Sequence, residues 1–268
     1  MILPGNWNMN IENRMTARPL GRTGLAVSAL GFGSFKIGRN RRIKYAESYE
    51  LPDELALREL MAGVLSLGMC YIDTAPAYGT SEERLGRVLA DHGEGVVIST
   101  KVGETFEGGE SCYEFTPEST RASVERSALR LGREVLDVVF VHSDGNDLEI
   151  QDQSGVVEAL LELKADGRVR AVGFSGKTPS GAERALEWAD VLMVEYHIED
   201  RSHESVIREA DRRGIGVVVK KGLASGRLPA AEAIAFVLGQ PGVSSLIVGS
   251  LNLDHLVENV AAAQLAIS

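Results

Sequence analysis

Four polar residues stand at or just after the ends of short apolar runs, and together they could move a proton. They are Asp73, Tyr78, Lys101 and His142. A free tyrosine has a pKa near ~10, but a nearby ammonium stabilises the phenolate and lowers that pKa. Lys101 could supply the ammonium, Asp73 could orient it, and His142 could hydrogen-bond to a carbonyl oxygen. Such a set could protonate an oxygen on which negative charge develops, as the reduction of a carbonyl group requires, with the hydride coming from a cofactor.

Secondary structure must position these residues, and one pattern repeats from residue 25 onward. A short apolar run ends in Gly, Ser, Thr or Asp, and an amphipathic segment of helix length follows. Short buried strands that alternate with helices indicate a parallel sheet. The predicted strands are Ala26–Gly31, Cys70–Asp73, Val96–Thr100, Leu136–His142, Val169–Phe174, Val191–Glu195, Gly216–Val219 and Ser245–Val248. The predicted helices are Leu55–Leu67, Glu82–Asp91, Pro117–Leu131, Gly155–Asp166, Ser180–Trp188, Ser202–Arg212, Ala230–Leu238 and Leu253–Ala263.

Eight strand–helix units favour a closed barrel over an open sheet. We therefore predict an α/β fold, a (β/α)8 TIM barrel, in which functional residues lie at the C-terminal ends of the strands. The glycines within Arg18–Ala29 predict a short β-hairpin before the barrel. The rival fold, a doubly wound sheet, usually has a glycine-rich turn after its first strand. Gly31–Gly33 followed by Gly38 does not match that turn, because the third glycine is misplaced.

Length and composition limit the class of protein. The chain has 268 residues, of which 44% are hydrophobic and 25% charged, and this is enough for one large core. We expect a flexible tail over residues 1–14 and a single barrel domain over residues 15–268.

The sequence also argues against several classes of protein. No apolar run reaches the roughly 18 residues of a membrane span, and Cys70 and Cys112 lack metal or redox spacing. A formal net charge of -10 argues against nucleic-acid binding. We expect a cytoplasmic monomer.

The order Asp73, Tyr78, Lys101, His142 resembles the catalytic tetrad of the aldo-keto reductases, and the local sequence Tyr71–Gly79 resembles that family as well. The resemblance extends over nearly the whole chain. It implies a (β/α)8 barrel with an N-terminal hairpin, and direct hydride transfer from NADP(H), less often NAD(H), to a small aldehyde or ketone. It implies that Tyr78 is the general acid, that Lys101 and Asp73 tune it, and that His142 orients the substrate.

The resemblance also implies an extended cofactor site across the strand ends. Its residues would be Ser175 and Gly176 at the nicotinamide, Gly222, Leu223, Ser225 and Gly226 along the pyrophosphate, Gly249, Ser250, Asn252 and His255 at the adenosine phosphate, and Glu258 and Asn259 at the adenine. A helix that begins near Asn252 would aim its first amides at that phosphate.

Several positions depart from the family pattern. Gly176 stands where many members have Asn, and Met193 (or Glu195, in a shifted register) stands where they have Gln. Lys220 replaces an aromatic residue that stacks on the nicotinamide in many members. Replacement positive charge could come from Lys220, Lys221 or Arg227. We expect NADPH to be preferred, with NADH as the alternative. The chain ends soon after the predicted adenine segment, which predicts an open substrate pocket.

Two other functions stay open at this point. A nucleotide-binding redox sensor would bind the cofactor tightly but transfer hydride slowly. A metal-dependent barrel hydrolase could use His142, Asp144, His197 and His203 as ligands. Metal barrels usually gather several ligands on their strand ends, and the pattern His-X-His does not occur in this sequence.

Overall fold

The computed structural model of the protein describes residues 15–43, 48–90 and 95–267. The tail predicted for residues 1–14 lies outside these ranges. The strands are β1 (Ala17–Pro19), β2 (Ala26–Ser28), β3 (Leu30–Gly33), β4 (Tyr71–Asp73), β5 (Val97–Val102), β6 (Glu104–Glu107), β7 (Glu110–Tyr113), β8 (Leu136–His142), β9 (Val169–Ser175), β10 (Val191–Glu195), β11 (Gly216–Lys220) and β12 (Val243–Val248). The helices are α1 (Phe35–Gly38), α2 (Glu54–Ser66), α3 (Ser81–Val88), α4 (Pro117–Leu131), α5 (Asp147–Gln153), α6 (Val156–Ala165), α7 (Pro179–Ala185), α8 (Glu204–Arg213), α9 (Ala230–Leu238) and α10 (Leu253–Ile267).

Eight strands form a closed barrel in the order β3-β4-β5-β8-β9-β10-β11-β12, and β12 pairs with β3 to complete it. Neighbouring strands are parallel all the way round. The strands are apolar along most of their length, as in β11, because both faces of each strand are covered. The predicted (β/α)8 barrel is confirmed. Its parallel strands bring their C-terminal ends to one rim.

The helices begin and end at residues whose side chains or backbone suit those positions. Before α4, the Thr116 hydroxyl accepts a hydrogen bond from the backbone N–H of Ser119 at 3.2 Å, and Pro117 occupies the first turn. The helix ends at Gly132 in the left-handed conformation, as α8 does at Gly214. Such caps pair backbone groups that a helix end leaves open, and each contributes about 1 kcal/mol. Within the described ranges, none of the helices has the length and apolar character needed to cross a bilayer.

The predicted N-terminal hairpin is confirmed, and it closes one end of the barrel. β1 and β2 pair antiparallel, and Leu20 and Leu25 between them pack in the same buried cluster as Phe140 inside the barrel. The backbone N–H of Arg22 donates to the carbonyl of Gly214, just before β11 begins, at 2.8 Å. The hairpin therefore lies at the N-terminal ends of the strands. Each fully buried leucine contributes roughly 1.5–3 kcal/mol through the hydrophobic effect.

Some predicted elements differ from the structure. The run Ala26–Gly31 is not one strand, because β2 belongs to the hairpin and the first barrel strand, β3, begins at Leu30. The helix predicted to reach Asp91 ends at Val88, and Asp91 itself lies outside the described residues. The hairpin β6–β7 and the helix α5 were not predicted. Their exposed polar residues produce no clear apolar pattern.

Candidate active site

The barrel brings the four predicted catalytic residues to one rim. Asp73 is the last residue of β4, Lys101 is the last but one of β5, and His142 is the last of β8. Tyr78 follows β4 on a short 3-10 turn, Pro76–Tyr78. The residues are far apart in the sequence, and the parallel register of the barrel is what makes them neighbours.

Gly79 ends the turn that carries Tyr78. It has a φ of +64, and a Cβ at this position would overlap the carbonyl oxygen of Gly38 at the end of α1. Both conditions favour glycine. The backbone N–H of Thr80 donates to the same Gly38 carbonyl at 3.2 Å. Close backbone packing against α1 thus fixes the position from which the tyrosine ring projects.

Lys101 and Asp73 form a buried ion pair. Lys101 Nζ lies 2.8 Å from each carboxylate oxygen of Asp73 and 2.7 Å from the carbonyl oxygen of Thr74. The hydroxyl of Ser99 donates to Asp73 Oδ1 at 2.8 Å, and the two charged side chains are 1% and 5% exposed. Burial lowers the pKa of Lys101 below its ordinary value, and the attraction of Asp73 opposes that effect. These acceptors hold the ammonium in one place.

The phenol of Tyr78 lies against this pair. Its hydroxyl is 3.4 Å from Asp73 Oδ2, and Lys101 Nζ is 4.6 Å from the centre of its ring. Phe35 packs edge-on against the ring with centroids 5.2 Å apart, and the His142 ring lies 6.4 Å away at 90°. A fixed cation this close stabilises the phenolate, so Tyr78 can give up its proton more readily than a free tyrosine.

His142 lies beside a carboxylate that the sequence analysis missed. Burial, followed by the positive charge of Lys101, lowers the pKa of His142 well below its ordinary value, so the imidazole is neutral at neutral pH. Its Nδ1 is 3.0 Å from Glu104 Oε2, yet this nitrogen has no hydrogen-bond partner among the described residues. The two groups are therefore close but poorly aligned. The signal for Glu104 was weak, namely an acidic residue two positions after the end of β5.

A cavity of about 330 Å³ opens at this rim, within the roughly 300–1,000 Å³ typical of small-molecule sites. Tyr78 and His142 line it. The charged groups in the lining that the described residues form are Lys36, Lys101, Lys220, Lys221 and Asp73. Apolar or small residues form much of the rest, including Gly33, Phe35, Met193, Ile247 and Val248. The excess of positive charge favours an anionic ligand.

The predicted cofactor residues fall into two groups. Those that line the cavity are Ser175, Gly222, Leu223, Ser225, Gly226, Gly249 and Asn259. Those outside its lining are Gly176, Ser250, Asn252, His255 and Glu258. Asn252 precedes α10, and its side-chain oxygen accepts from the N–H of Asp254 at 2.8 Å, so the helix begins where the sequence analysis expected it. His255 and Glu258 are exposed on this helix.

Lys220 bridges the two residues that were predicted to meet a nicotinamide. Its Nζ donates to Ser175 Oγ at 3.0 Å and to the carbonyl of Gly176 at 2.8 Å. Burial, followed by the nearby cations Lys221 and Lys101, lowers the pKa of Lys220 to about 7. Lys220 is therefore a weak source of fixed positive charge.

The other two cations that could supply positive charge are paired with carboxylates. Lys221 Nζ lies 2.5 Å from Glu195 Oε2, and an Arg227 nitrogen lies 3.3 Å from Glu199 Oε2. Lys221 lines the cavity, whereas Arg227 lies outside its lining.

The arrangement does not support the metal-hydrolase alternative. The predicted ligands His142, Asp144, His197 and His203 do not form one group. Within the described part of the chain, the only group of His, Cys, Asp and Glu side chains close enough to share an ion is Glu195, His197 and Asp200, with ligand atoms within 4.8 Å of one another. Glu195 is already paired with Lys221.

Comparison with known proteins identifies the family. The model of the aldo/keto reductase family matches residues 29–232. The structure of a Pseudomonas aeruginosa protein assigned to the aldo-keto reductases is 45% identical, covers 94% of this chain and 95% of its own, and has a TM-score of 0.87. The holo form of an aldo-keto reductase from Bacillus halodurans is 26% identical, with 94% and 91% covered and a TM-score of 0.80. The NADH-specific methylglyoxal reductase of Escherichia coli is 29% identical over 82% of this chain and 71% of the relative. The chain belongs to the aldo/keto reductase family of oxidoreductases.

Proposed function

We propose that the protein reduces a small aldehyde or ketone to an alcohol, with NADPH as the hydride donor, NADH as the alternative donor, and Tyr78 as the general acid. The observation that carries this proposal is the buried Lys101–Asp73 pair directly beside the Tyr78 hydroxyl, in a cavity large enough for a small molecule.

The residues present fit a nicotinamide dinucleotide. The lining is rich in lysine, which suits a pyrophosphate. Asn259 is 8% exposed, lines the cavity and makes no side-chain hydrogen bond within the described residues, so it can pair with a polar base. A Cβ added at Gly226 would meet nothing within 4 Å, which leaves open space beside the backbone. Ser175 Oγ accepts from Lys220 and keeps its own proton for an amide oxygen. The bound cofactor would supply the hydride.

Each member of the tetrad has a role that its surroundings support. Tyr78 gives its proton to the carbonyl oxygen as negative charge grows there. Lys101 stabilises the phenolate that remains, and Asp73 keeps Lys101 in position. His142, neutral because of burial and neighbouring cations, donates one hydrogen bond to the same oxygen.

The relatives are named for several small substrates, among them L-galactose and pyridoxine. One of them is named as a methylglyoxal reductase that is specific for NADH. That name supports a compact carbonyl compound, and it keeps NADH as the alternative hydride donor for this chain.

The test is steady-state oxidation of NADPH and NADH with a reactive aromatic aldehyde. We expect turnover by the wild type and a fall in kcat of about 10²–10⁴-fold in Tyr78→Phe, because the general acid is lost. Tyr196→Phe is the matched control. The Tyr196 hydroxyl contacts Gln240 at 3.2 Å and Tyr196 does not line the cavity, so its removal should leave kcat unchanged.

A nucleotide-binding sensor is the second candidate, and one observation favours it. Lys220 already engages Ser175 and Gly176, the groups expected to hold the nicotinamide amide. Tight binding of NADPH without turnover of any carbonyl compound in a broad panel would support the sensor and refute the reductase.

A further inference from the structure

The amine of Lys220 is placed where a carbonyl compound could reach it. Lys220 is the last residue of β11, and it lines the same cavity as Tyr78 and His142. Its side chain is partly buried and forms part of the wall of the cavity. In the reduction proposed above, this amine hydrogen-bonds to Ser175 but takes no part in the hydride or proton transfer.

The surroundings of Lys220 favour an uncharged amine. Within the described residues, no carboxylate forms an ion pair with Lys220. The nearby carboxylates are engaged by other lysines, Asp73 by Lys101 and Glu195 by Lys221. A buried ammonium that faces other cations and lacks a carboxylate loses its proton readily. With a pKa of about 7, about half of Lys220 is neutral at neutral pH, roughly a thousandfold more than for an ordinary lysine.

The hydrogen bonds of Lys220 leave its lone pair available. A neutral amine has two N–H groups, and these match the two acceptors, Ser175 Oγ and the Gly176 carbonyl oxygen. Lys101 is different, because three acceptors surround its Nζ and its side chain is 1% exposed. Of these two lysines, only Lys220 can act as a nucleophile.

We propose that Lys220 is a covalent capture site, whose amine forms a reversible imine with small aldehydes that enter the cavity. The nitrogen lone pair forms a C–N bond to the carbonyl carbon, and the π electrons move to the oxygen. That oxygen gains a proton while the nitrogen loses one, which gives a carbinolamine. Loss of water then forms the C=N bond, and hydrolysis reverses every step. No oxidant or reductant takes part. Lysines that are desolvated or placed next to another cation are the ones that react in this way.

Tyr78 and His142 can assist the step that removes the carbonyl oxygen. Both line the same cavity as this amine, and both carry a proton that can hydrogen-bond to that oxygen. The inference rests on the proposed substrate class but not on hydride transfer. It therefore predicts a reaction in the absence of nicotinamide.

The experiment traps the imine by chemical reduction. The full-length protein, without nucleotide, is mixed with the same aromatic aldehyde and sodium cyanoborohydride at about pH 7 and analysed by intact mass and peptide mapping. We expect one adduct per chain on Lys220, formed on the order of tenfold or more faster than adducts on the exposed Lys221. Faster or equal labelling of Lys221 would overturn the proposal without any variant having to fold.

Variants provide the second arm. Lys220→Arg keeps a cation but has no nucleophilic amine, so the rapid adduct should disappear. Lys164→Met is the matched control, because Lys164 is paired with Asp190 on the outer surface at 2.7 Å and the rapid adduct should persist. The same rapid adduct in Lys220→Arg would place the reaction elsewhere and refute the proposal. Aldehyde turnover without an adduct refutes only the imine, and an adduct without turnover refutes only the reductase.

Discussion

Two lysines at the same rim have opposite electrostatic surroundings. Lys101 and its partner Asp73 are both almost fully buried, and the ion pair offsets much of the cost of removing them from water. Lys220 is partly buried without a carboxylate partner in the described residues, and its pKa falls to about 7 as a result. The carboxylate beside Lys101 favours its charged form, whereas Lys220 can gain or lose its proton near neutral pH.

Lys220→Met is expected to stabilise the protein most at low pH. The pKa of Lys220 is lowered from 10.5 to about 7, so its destabilising effect is fully present below pH 7 and disappears as pH rises toward the unfolded value. We expect a gain in unfolding free energy of about 1–3 kcal/mol near pH 6 that shrinks by about pH 10. The charged or titratable groups around it are Lys221, Lys101, Glu195, Asp147, His142 and His203.

Urea denaturation across this pH range measures the effect, and Lys164→Met serves as the control. Lys164 has a carboxylate partner in Asp190, so its replacement should give no stabilisation that depends on pH in this way. A gain from Lys220→Met that is equal at about pH 6 and about pH 10 would show that packing, rather than charge, causes it.

The four rim residues and much of the cavity lining could be predicted from sequence, but the contacts of Lys220 and Glu104 could not, for a physical reason. A lysine inside an apolar strand, such as Lys101, has no packing role, so its residue type already indicates function. The surroundings of Lys220 depend on Ser175, which is 45 positions away in the sequence. Glu104 comes beside His142 only because the chain turns at Gly103, where φ is +101. Contacts of this kind follow from the closed barrel and not from local spacing.

At the scale of elements, the turn between β4 and α3 controls where the tyrosine lies. Gly79→Ala should displace this turn, because the new Cβ would overlap the Gly38 carbonyl and the φ is positive. We expect a loss of about 1–3 kcal/mol in unfolding free energy and a fall in kcat of about 10²-fold, since small displacements of a catalytic group are costly. Denaturation and steady-state kinetics measure the two effects.

Gly132→Ala is the matched control for the turn. Gly132 also has a positive φ, of +63, but a Cβ there would meet nothing within 4 Å, and it ends α4 away from the cavity. It should lose about 1 kcal/mol and keep its kcat. Equal loss of kcat in both variants would mean that backbone strain alone, and not the position of Tyr78, explains the result.

The barrel elements were predictable because each strand is buried on both faces. The hairpin β6–β7 was not, since most of its side chains are exposed or half-buried and show no apolar face. Its one local signal is the Gly108-Gly109 turn, a pair typical of tight hairpins. The element that places Glu104 beside His142 therefore carries little information in its own sequence.

At the scale of the whole molecule, the barrel separates stability from chemistry. The N-terminal end is closed by the hairpin, whose apolar residues join the interior cluster. The opposite rim holds the ion pair, the phenol and the cavity. Barrels of this kind use one end for function and the other for stability, so variants at the two ends should have different effects.

Leu20→Ala tests this separation. Leu20 is fully buried in the cluster that includes Phe140 and Met193, so truncation leaves a cavity and should cost about 2–5 kcal/mol of unfolding free energy. Met193 also lines the functional cavity. A change in packing at Leu20 could therefore affect the rim through Met193. We expect kcat and KM to stay within about twofold of the wild type below the unfolding transition, because a packed interior deforms little over such a distance.

Leu129→Ala is the control. Leu129 is 83% exposed, so this variant should change neither the unfolding free energy nor the kinetic constants. A large fall in kcat for Leu20→Ala in the folded protein would show that the hairpin and the rim are coupled through the barrel interior, and the two ends would then have to be treated as one functional unit.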